Sequence, residues 1–304
     1  MKCLVTGGLG FIGSWVVDSL IEKNHEVIII DNLSTGNKEN LNKKAKLYQL
    51  DIRDKKLSEI LEKEKPDYVF HLAAQINVRN SLENPKNDAD INILGTLNLL
   101  DSCLKYKIKK IIFSSTGGAI YGGKVKIPTS EGERENPESP YGIAKLTIEK
   151  YLEMYKQVHG LDYVTLRYAN VYGPRQNIKG EAGVVALFIE KMLKNEQCKI
   201  NGSGEQTRDY VFVKDVAKAN ILALNLSGIF NVGTGIETSV NSLFLKLKSL
   251  LNYEKDAEHL QEKKGEVSRS CLDANKLRSK DWTPDYSFDQ GLAETLNFYK
   301  NKRK

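Results

Sequence analysis

Three glycines, Gly7, Gly10 and Gly13, recur at every third position in Thr6-Gly-Gly-Leu-Gly-Phe-Ile-Gly13 and constrain this chain more than any other feature. The apolar run Cys3-Leu-Val5 ahead of them reads as a buried strand, and Ser14 to Glu22 behind them has the apolar spacing of a helix. In a strand-turn-helix each glycine has its own work. Gly7 allows the sharp turn, Gly10 lets backbone approach a ligand, and Gly13 lets helix and strand pack without an intervening Cβ. The unsatisfied amides of the first helical turn, backed by the helix dipole, then suit a pyrophosphate. A glycine-rich turn alone also fits a tight surface loop. The second signal comes about 20 residues on, where Glu26-Val-Ile-Ile-Ile30 reads as a parallel strand ending at Asp31. A carboxylate there accepts both ribose hydroxyls of an adenosine and repels a 2′-phosphate. Asn32-Leu-Ser-Thr-Gly36 brings no arginine to neutralise one, so the pattern selects NAD over NADP.

The chain of 304 residues, 40% hydrophobic, is long enough for one large α/β domain with a smaller appendage. No stretch rich in Pro, Gly or Ser separates two halves, so a second lobe is expected to be stitched to the first by several crossings. The net charge of +6 is concentrated at one end: Lys300, Lys302, Arg303 and Lys304 are four of the 45 basic residues, and the other 41 against 39 acids leave only +2. That balance argues against a nucleic-acid partner, which calls for a clustered basic face with interleaved aromatics. Cys3, Cys103, Cys198 and Cys271 are too scattered for a disulfide framework or a metal site, and read as thiols in a reducing compartment. Asp18 breaks the apolar stretch that begins at Phe11, so neither a leader nor a membrane span is expected, and the expected location is cytoplasmic.

Beyond Asp31 strands and helices alternate: a strand near Lys46 to Leu50, a helix near Lys56 to Lys63, a strand at Asp67 to Leu72, and a long amphipathic helix over Asn87 to Tyr106. The next strand is Lys109 to Ser114. This alternation predicts a doubly wound parallel α/β sheet, whose ligand crevice lies at the carboxyl ends of its strands. Asp51, Leu72-Ala-Ala-Gln75 and Ser114-Ser-Thr116 all fall at such ends. Asp51 suits a helix N-cap equally well, and His71, with no second metal-type residue near it, reads as a packed strand-end side chain.

Pro140-Tyr-Gly-Ile-Ala-Lys145 opens a helix running to about Val158, with Tyr141 and Lys145 on one face. The plain reading is an exposed pair on any helix. The sharper one is that an ammonium beside a phenol lowers its pKa and makes it a proton acceptor near neutral pH.

In this order and spacing the motifs resemble the extended short-chain dehydrogenase/reductases, in particular the UDP-glucose 4-epimerase branch of the nucleotide-sugar epimerase/dehydratase group. The resemblance covers nearly the whole chain. It adds Arg167-Tyr-Ala-Asn-Val-Tyr-Gly-Pro-Arg175 and Arg208-Asp-Tyr-Val-Phe-Val213 to the motifs above. It implies a Rossmann domain over 1–165, with 166–304 forming mainly a nucleotide-sugar-binding α/β lobe from which some segments return to the first domain. It places NAD against Gly7, Gly10, Phe11, Ile12 and Gly13; Asp31, Asn32, Ser34, Thr35 and Gly36; Asp51 and Ile52; Leu72, Ala73, Ala74 and Gln75; and Asn92, Tyr141 and Lys145. Tyr141 is then the catalytic base, Lys145 holds the nicotinamide ribose, and Thr116, or else Ser115, shares the proton of the sugar 4-hydroxyl. Hydride leaves sugar C4 for NAD and returns to the other face of the turned 4-keto sugar. The same resemblance implies a homodimer formed through the Asn92 and Tyr141 helices.

The residues themselves discriminate within this group. Dehydratases need an acid and a base directly after the hydroxyl residue, and the related decarboxylases resemble them in carrying an acid there. Here Thr116 is followed by Gly117-Gly-Ala-Ile-Tyr121, which leaves hydride out and hydride in, that is, epimerisation. A dehydratase, decarboxylase or reductase of the same family is the alternative, and a catalytically silent NAD-sensing protein is another. For the UDP-sugar, the resemblance implies contacts from Asn170, from Gly183 and Val184, and from Arg208. Lys263-Lys-Gly-Glu266 stands where the family has Arg-x-Gly-Asp, which nominates Lys263 and Glu266. Ser270 falls where epimerases restricted to unacetylated sugars carry a large tyrosine. Its small side chain leaves room for an N-acetyl group, so UDP-N-acetylglucosamine is expected to be accepted as well as UDP-glucose.

Overall fold

The computed structural model describes residues 1–178, 183–262 and 267–302. Seven parallel strands form its main sheet: β1 Lys2–Thr6, β2 Glu26–Asp31, β3 Lys46–Gln49, β4 Tyr68–His71, β5 Lys110–Thr116, β6 Asp162–Tyr168 and, much later in the chain, β10 Gly228–Val232. Their order is β10-β6-β5-β4-β1-β2-β3. The winding reverses between β1 and β4, and a crevice opens at the carboxyl ends on either side of that point.

The inner strands read as continuous apolar runs because both faces of the sheet are covered. Successive side chains go to opposite cores. Cys3 and Val5 of β1 join Val27, Ile29, Phe70 and Ile112 on one face. Leu4 joins Ile28, Ile30, Val69 and Ile111 on the other. Each such side chain stabilises the fold by about 1.5–3 kcal/mol.

Helix α1, Phe11–Glu22, belongs to two cores at once. Val16, Val17 and Leu20 lie in the sheet core, while Phe11, Ile12 and Trp15 pack against a third cluster built on Tyr172, Phe188, Phe212, Phe244 and Leu292. That cluster is the heart of a smaller lobe. Its sheet contains β7 Asn170–Tyr172, β9 Thr207–Phe212, β11 Glu237–Ser239 and β13 Arg269–Ser270, and a separate ribbon pairs β8 Lys199–Asn201 with β12 Glu258–Leu260. β9 lies between antiparallel β11 and parallel β13, and its later residues Tyr210 to Phe212 pair in parallel with β7.

The single helix expected over Asn87 to Tyr106 is instead composite. After α2 Lys56–Glu64 and α3 Val78–Glu83, the chain forms α4 Pro85–Ala89, a π turn at Asp90–Leu94, and α5 Gly95–Lys105. The extra residue in the π turn swings Asn92 toward the loop after β4. There its amide accepts from Gln75 N at 2.8 Å and donates to Gln75 O at 2.9 Å and Asp88 Oδ1 at 3.0 Å. Two short sequence steps follow β5: α6 Gly117–Ile120 and α7 Pro140–His159. The four cysteines are buried free thiols. Among the described residues no helix is long and apolar enough to cross a membrane, and no cluster of His, Cys, Asp or Glu could hold a metal ion.

Candidate active site

The first glycine turn is backbone packed on backbone. Gly7 has φ +69°, and a Cβ on it would lie 2.8 Å from Ala73 N; one on Gly13 would lie 2.1 Å from Gly7 O. What Gly13 permits is therefore contact of the helix with the turn itself rather than with the strand. α1 starts at Phe11, with Gly10 as its N-cap and no side chain capping it. Its first amides are left to serve a ligand. Asp31, buried at the end of β2, accepts from Leu9 N at 2.9 Å on one oxygen and Leu33 N at 2.8 Å on the other. Those bonds aim the carboxylate while leaving lone pairs on both oxygens. A Cβ on Gly36 would come within 2.6 Å of Asp31 Oδ1, so only glycine lets the exposed loop carrying Asn32, Ser34 and Thr35 close over it. These residues fit an adenosine diphosphate moiety with a free 2′-hydroxyl.

Asp51 caps neither α2 nor any other helix. Its carboxylate is held by Arg53, through Nε at 2.8 Å and NH2 at 2.9 Å, and by Asn32 Nδ2 at 2.8 Å, and the Arg53 bonds keep it well below the usual carboxylate range. Ile52 beside it is buried under Gly95. Leu72, Ala73, Ala74 and Gln75 are half-buried along the crevice, with Gln75 fixed by Asn92. His71 is a packed side chain: Nδ1 meets Thr6 Oγ1 at 2.7 Å and Nε2 meets Thr96 Oγ1 at 2.8 Å. Burial, with Lys145 adding to it, pushes its pKa down to about 3.

At the carboxyl end of β5 three hydroxyls diverge. Ser114 Oγ meets Tyr168 OH at 2.9 Å, and Ser115 Oγ donates to Glu149 Oε1 at 2.5 Å; both are buried. Thr116 alone is partly open, its Oγ1 accepting weakly from Ala119 N at 3.3 Å as the cap of α6. A Cβ on Gly118 would have Thr116 Oγ1 and Ser270 Oγ each 4.0 Å away and nothing nearer, so these two hydroxyls border one open space. Gly117 has no such room, since a Cβ there would meet Leu272 Cδ1 at 2.5 Å.

α7 begins with Pro140 in its first turn and Ser139 capping Gly142 N at 3.2 Å, which sets Tyr141 and Lys145 on its inner face. Lys145 Nζ donates to Ser114 O at 2.8 Å and lies 4.8 Å from the Phe113 ring centroid and 5.9 Å from that of Tyr141. Burial lowers its pKa to about 8, against the opposing pull of Asp88 and Glu149. Asn170 is exposed at the start of β7, and Arg208 of β9 is laddered directly beside Ser270 of β13. Ser270 is thus carried to Thr116 from the far end of the chain. Its strand is framed on both sides: Thr129 pairs with Leu272, and Asp209 Oδ2 accepts from Leu272 N at 3.3 Å. Gly183 caps helix α8, Val184–Leu193, and Val184 is half-buried. Lys263 and Glu266 lie outside the described residues, as does most of the stretch ahead of Gly183.

Sequence reasoning assigned no role to a buried network that underlies this surface. Arg167 of β6 is 0% exposed. It donates through Nε to both oxygens of Glu149 at 3.1 Å, through NH2 to Glu149 Oε2 at 2.5 Å and Glu135 Oε1 at 2.8 Å, and through NH1 to Tyr121 OH at 2.8 Å. Two signals were present: an arginine inside an apolar strand, and a glutamate one turn beyond Lys145 on the face shared with Tyr141.

Known proteins resemble the chain over most of its length. The model of the NAD dependent epimerase/dehydratase family matches residues 3–233. Among solved structures the chain is similar to the UDP-glucose 4-epimerase of Thermotoga maritima with UDP-glucose, at 50% identity and TM-score 0.99 over 100% of each chain. It is also similar to the Thermus thermophilus UDP-glucose 4-epimerase complex with NAD, at 40% identity and TM-score 0.94 over 99% of each. A third likeness, at 40% identity and TM-score 0.95, is to the UDP-N-acetylglucosamine 4-epimerase of Methanobrevibacter ruminantium in complex with UDP-N-acetylmuramic acid, over 99% of this chain and 98% of that one.

Proposed function

The chain belongs to the NAD dependent epimerase/dehydratase family, and from that premise we propose that it interconverts the C4 epimers of a UDP-hexose. The observation that carries this reading is local. Thr116 opens onto a space shared with Ser270, Lys145 lies beneath Tyr141, and the residues next to Thr116 are Gly117 and Gly118, so no carboxylate stands there to move protons at other carbons.

NAD supplies the hydride acceptor and donor when bound over the glycine turn, with its adenosine ribose at Asp31. Tyr141 takes the proton of the sugar 4-hydroxyl and later returns it, with Thr116 sharing that hydrogen bond. Lys145 holds the tyrosine in its reactive range. Having given one N–H to Ser114 O, its ammonium keeps two for the nicotinamide ribose. The bond of Ser115 to Glu149 supports Thr116 rather than Ser115 in this role. Arg208 supports the diphosphate with its planar fork, beside Asn170, and Gly183 and Val184 border the uracil. Lys263 and Glu266 complete the substrate side in this reading. Residues 1–165 work mainly on the cofactor and 166–304 mainly on the UDP-sugar.

The small Ser270 side chain beside Thr116 supports acceptance of 2-acetamido sugars as well. The protein acts as a homodimer in this reading. Ile143, Leu146, Lys150, Tyr151 and Met154 line a shallow apolar groove along α7, and Leu94 of the neighbouring π turn adds to the same kind of exposed surface.

The test is incubation of purified protein with UDP-glucose and with UDP-N-acetylglucosamine, following the 4-epimers and free NADH. Epimer is expected to form without net NADH. Tyr141→Phe, which keeps the ring, is expected to lower turnover about 10²- to 10⁴-fold while NAD binding persists. Steady accumulation of NADH with an oxidised sugar would reassign the chain to the dehydrogenases.

A further inference from the structure

One buried carboxylate at the edge of the site has no part in the reaction described above. Asp88 of α4 is 1% exposed. Its Oδ1 accepts from Gln75 Nε2 at 2.8 Å and Asn92 Nδ2 at 3.0 Å, whereas its Oδ2, equally buried, has no donor from the protein. A desolvated carboxylate oxygen without a hydrogen bond is costly unless a nearby positive charge offsets it. α4 packs against α7, and the cation that acts on Asp88 across that contact is Lys145.

Lys145 has the complementary deficit. Its ammonium is buried, holds Ser114 O and two aromatic rings, and has no carboxylate within ion-pair distance among the described residues. Four titratable groups face it. His71 from β4 is locked between Thr6 and Thr96, and burial holds it neutral. Tyr141, on the same helix, is the group it serves. Glu149, one turn along, is already matched by the Arg167 guanidinium on both of its oxygens. Asp88 is the fourth, and among the described residues Lys145 is the cation that acts on it.

We propose that Asp88 is a positioning residue of this site: its carboxylate is the counter-charge that keeps Lys145 an ammonium, and the same side chain orients Asn92 and Gln75 in the loop after β4. Burial moves the proton affinities of the two groups toward each other, Asp88 upward and Lys145 downward, and the charge of each opposes the burial shift of the other, Lys145 pulling Asp88 down and Asp88 pulling Lys145 up. The sign of the effect follows. Lys145 loses its proton as pH rises through its folded-state pKa, and removing Asp88 brings that loss to lower pH. The inference rests on Lys145 serving as an ammonium in the proposed epimerisation, so the test reads the lysine directly as well as through catalysis.

Wild type and Asp88→Asn are compared in two ways: by nuclear magnetic resonance titration of the Lys145 ε-position in lysine-labelled protein without substrate, and by the pH profile of kcat/KM with UDP-glucose. Asp88→Asn is expected to lower the Lys145 titration and the alkaline limb together by about one pH unit, a loss near tenfold on the alkaline side with little change on the acid side. Asp88→Glu should restore part of the shift. An unmoved Lys145 titration, or a uniform fall in kcat/KM at every pH, would overturn the proposal. A moved titration with an unmoved profile upholds the counter-charge and refutes the ammonium's part in the reaction. Should Asp88→Asn fail to fold, wild type still decides: the Lys145 resonance must show a second, acid-side inflection from Asp88, and its absence refutes the pairing.

Discussion

Arg167→Met tests how the floor of the site is held. Arg167 is fully enclosed and makes five hydrogen bonds, three of them to Glu149, which is itself 1% exposed. Removing the guanidinium leaves the buried Glu149 with Ser115 as its one remaining hydrogen-bond partner among the described residues. Breaking a buried pair from one side typically costs about 3–5 kcal/mol, whereas replacing both partners with apolar groups of similar volume is often close to neutral. Glu135, the other carboxylate, is 23% exposed and can turn to water, so it adds little. Arg167→Met should therefore lower stability by about 3–5 kcal/mol, a fall in Tm of roughly 5 to 8 °C for a chain of this size. The double variant Arg167→Met with Glu149→Leu should recover about 2 kcal/mol or more relative to the sum of the two single variants. Calorimetry of the four proteins at one pH and without added cofactor measures all terms. Additive losses, or a single-variant cost under about 1 kcal/mol, would refute the buried-pair argument.

If Ser270 borders the sugar C2 substituent as proposed, Ser270→Tyr should lower kcat/KM for UDP-N-acetylglucosamine by about 10- to 200-fold and for UDP-glucose by less than about threefold; equal losses on both substrates would reject the gate. Ile143, 51% exposed on α7, should give monomers in sedimentation when changed to Glu if that face is the dimer contact; a dimer unaffected by Ile143→Glu together with Met154→Glu would move the interface elsewhere.

Local placement was readable from the sequence wherever the backbone itself is the device. Gly7, Gly10 and Gly13 follow from the geometry of one turn, Asp31 from its distance beyond it, and Tyr141 with Lys145 from the pitch of one helix. What could not be read was pairing between distant segments. Whether Ser115 or Thr116 faces the crevice depends on where Glu149 lies, and Glu149 is placed by Arg167 of another strand. The π turn at Asp90–Leu94 leaves the apolar spacing of its helix almost unchanged, so periodicity reported one continuous element. Nothing in the sequence around Asp88 marks it as buried, because its burial comes from packing against α7.

The frame around Ser270 also bears on how such a protein changes over generations. The backbone on either side of position 270 is fixed by the ladder to Arg208, by Asp209 and by Thr129, while the side chain stands in open space near Gly118. Under the proposed function, a mutation there would enlarge or shrink the space beside the sugar while leaving Thr116 in place. Substrate range would then be separable from the reacting groups, since one side chain could change it while the surrounding backbone stays fixed.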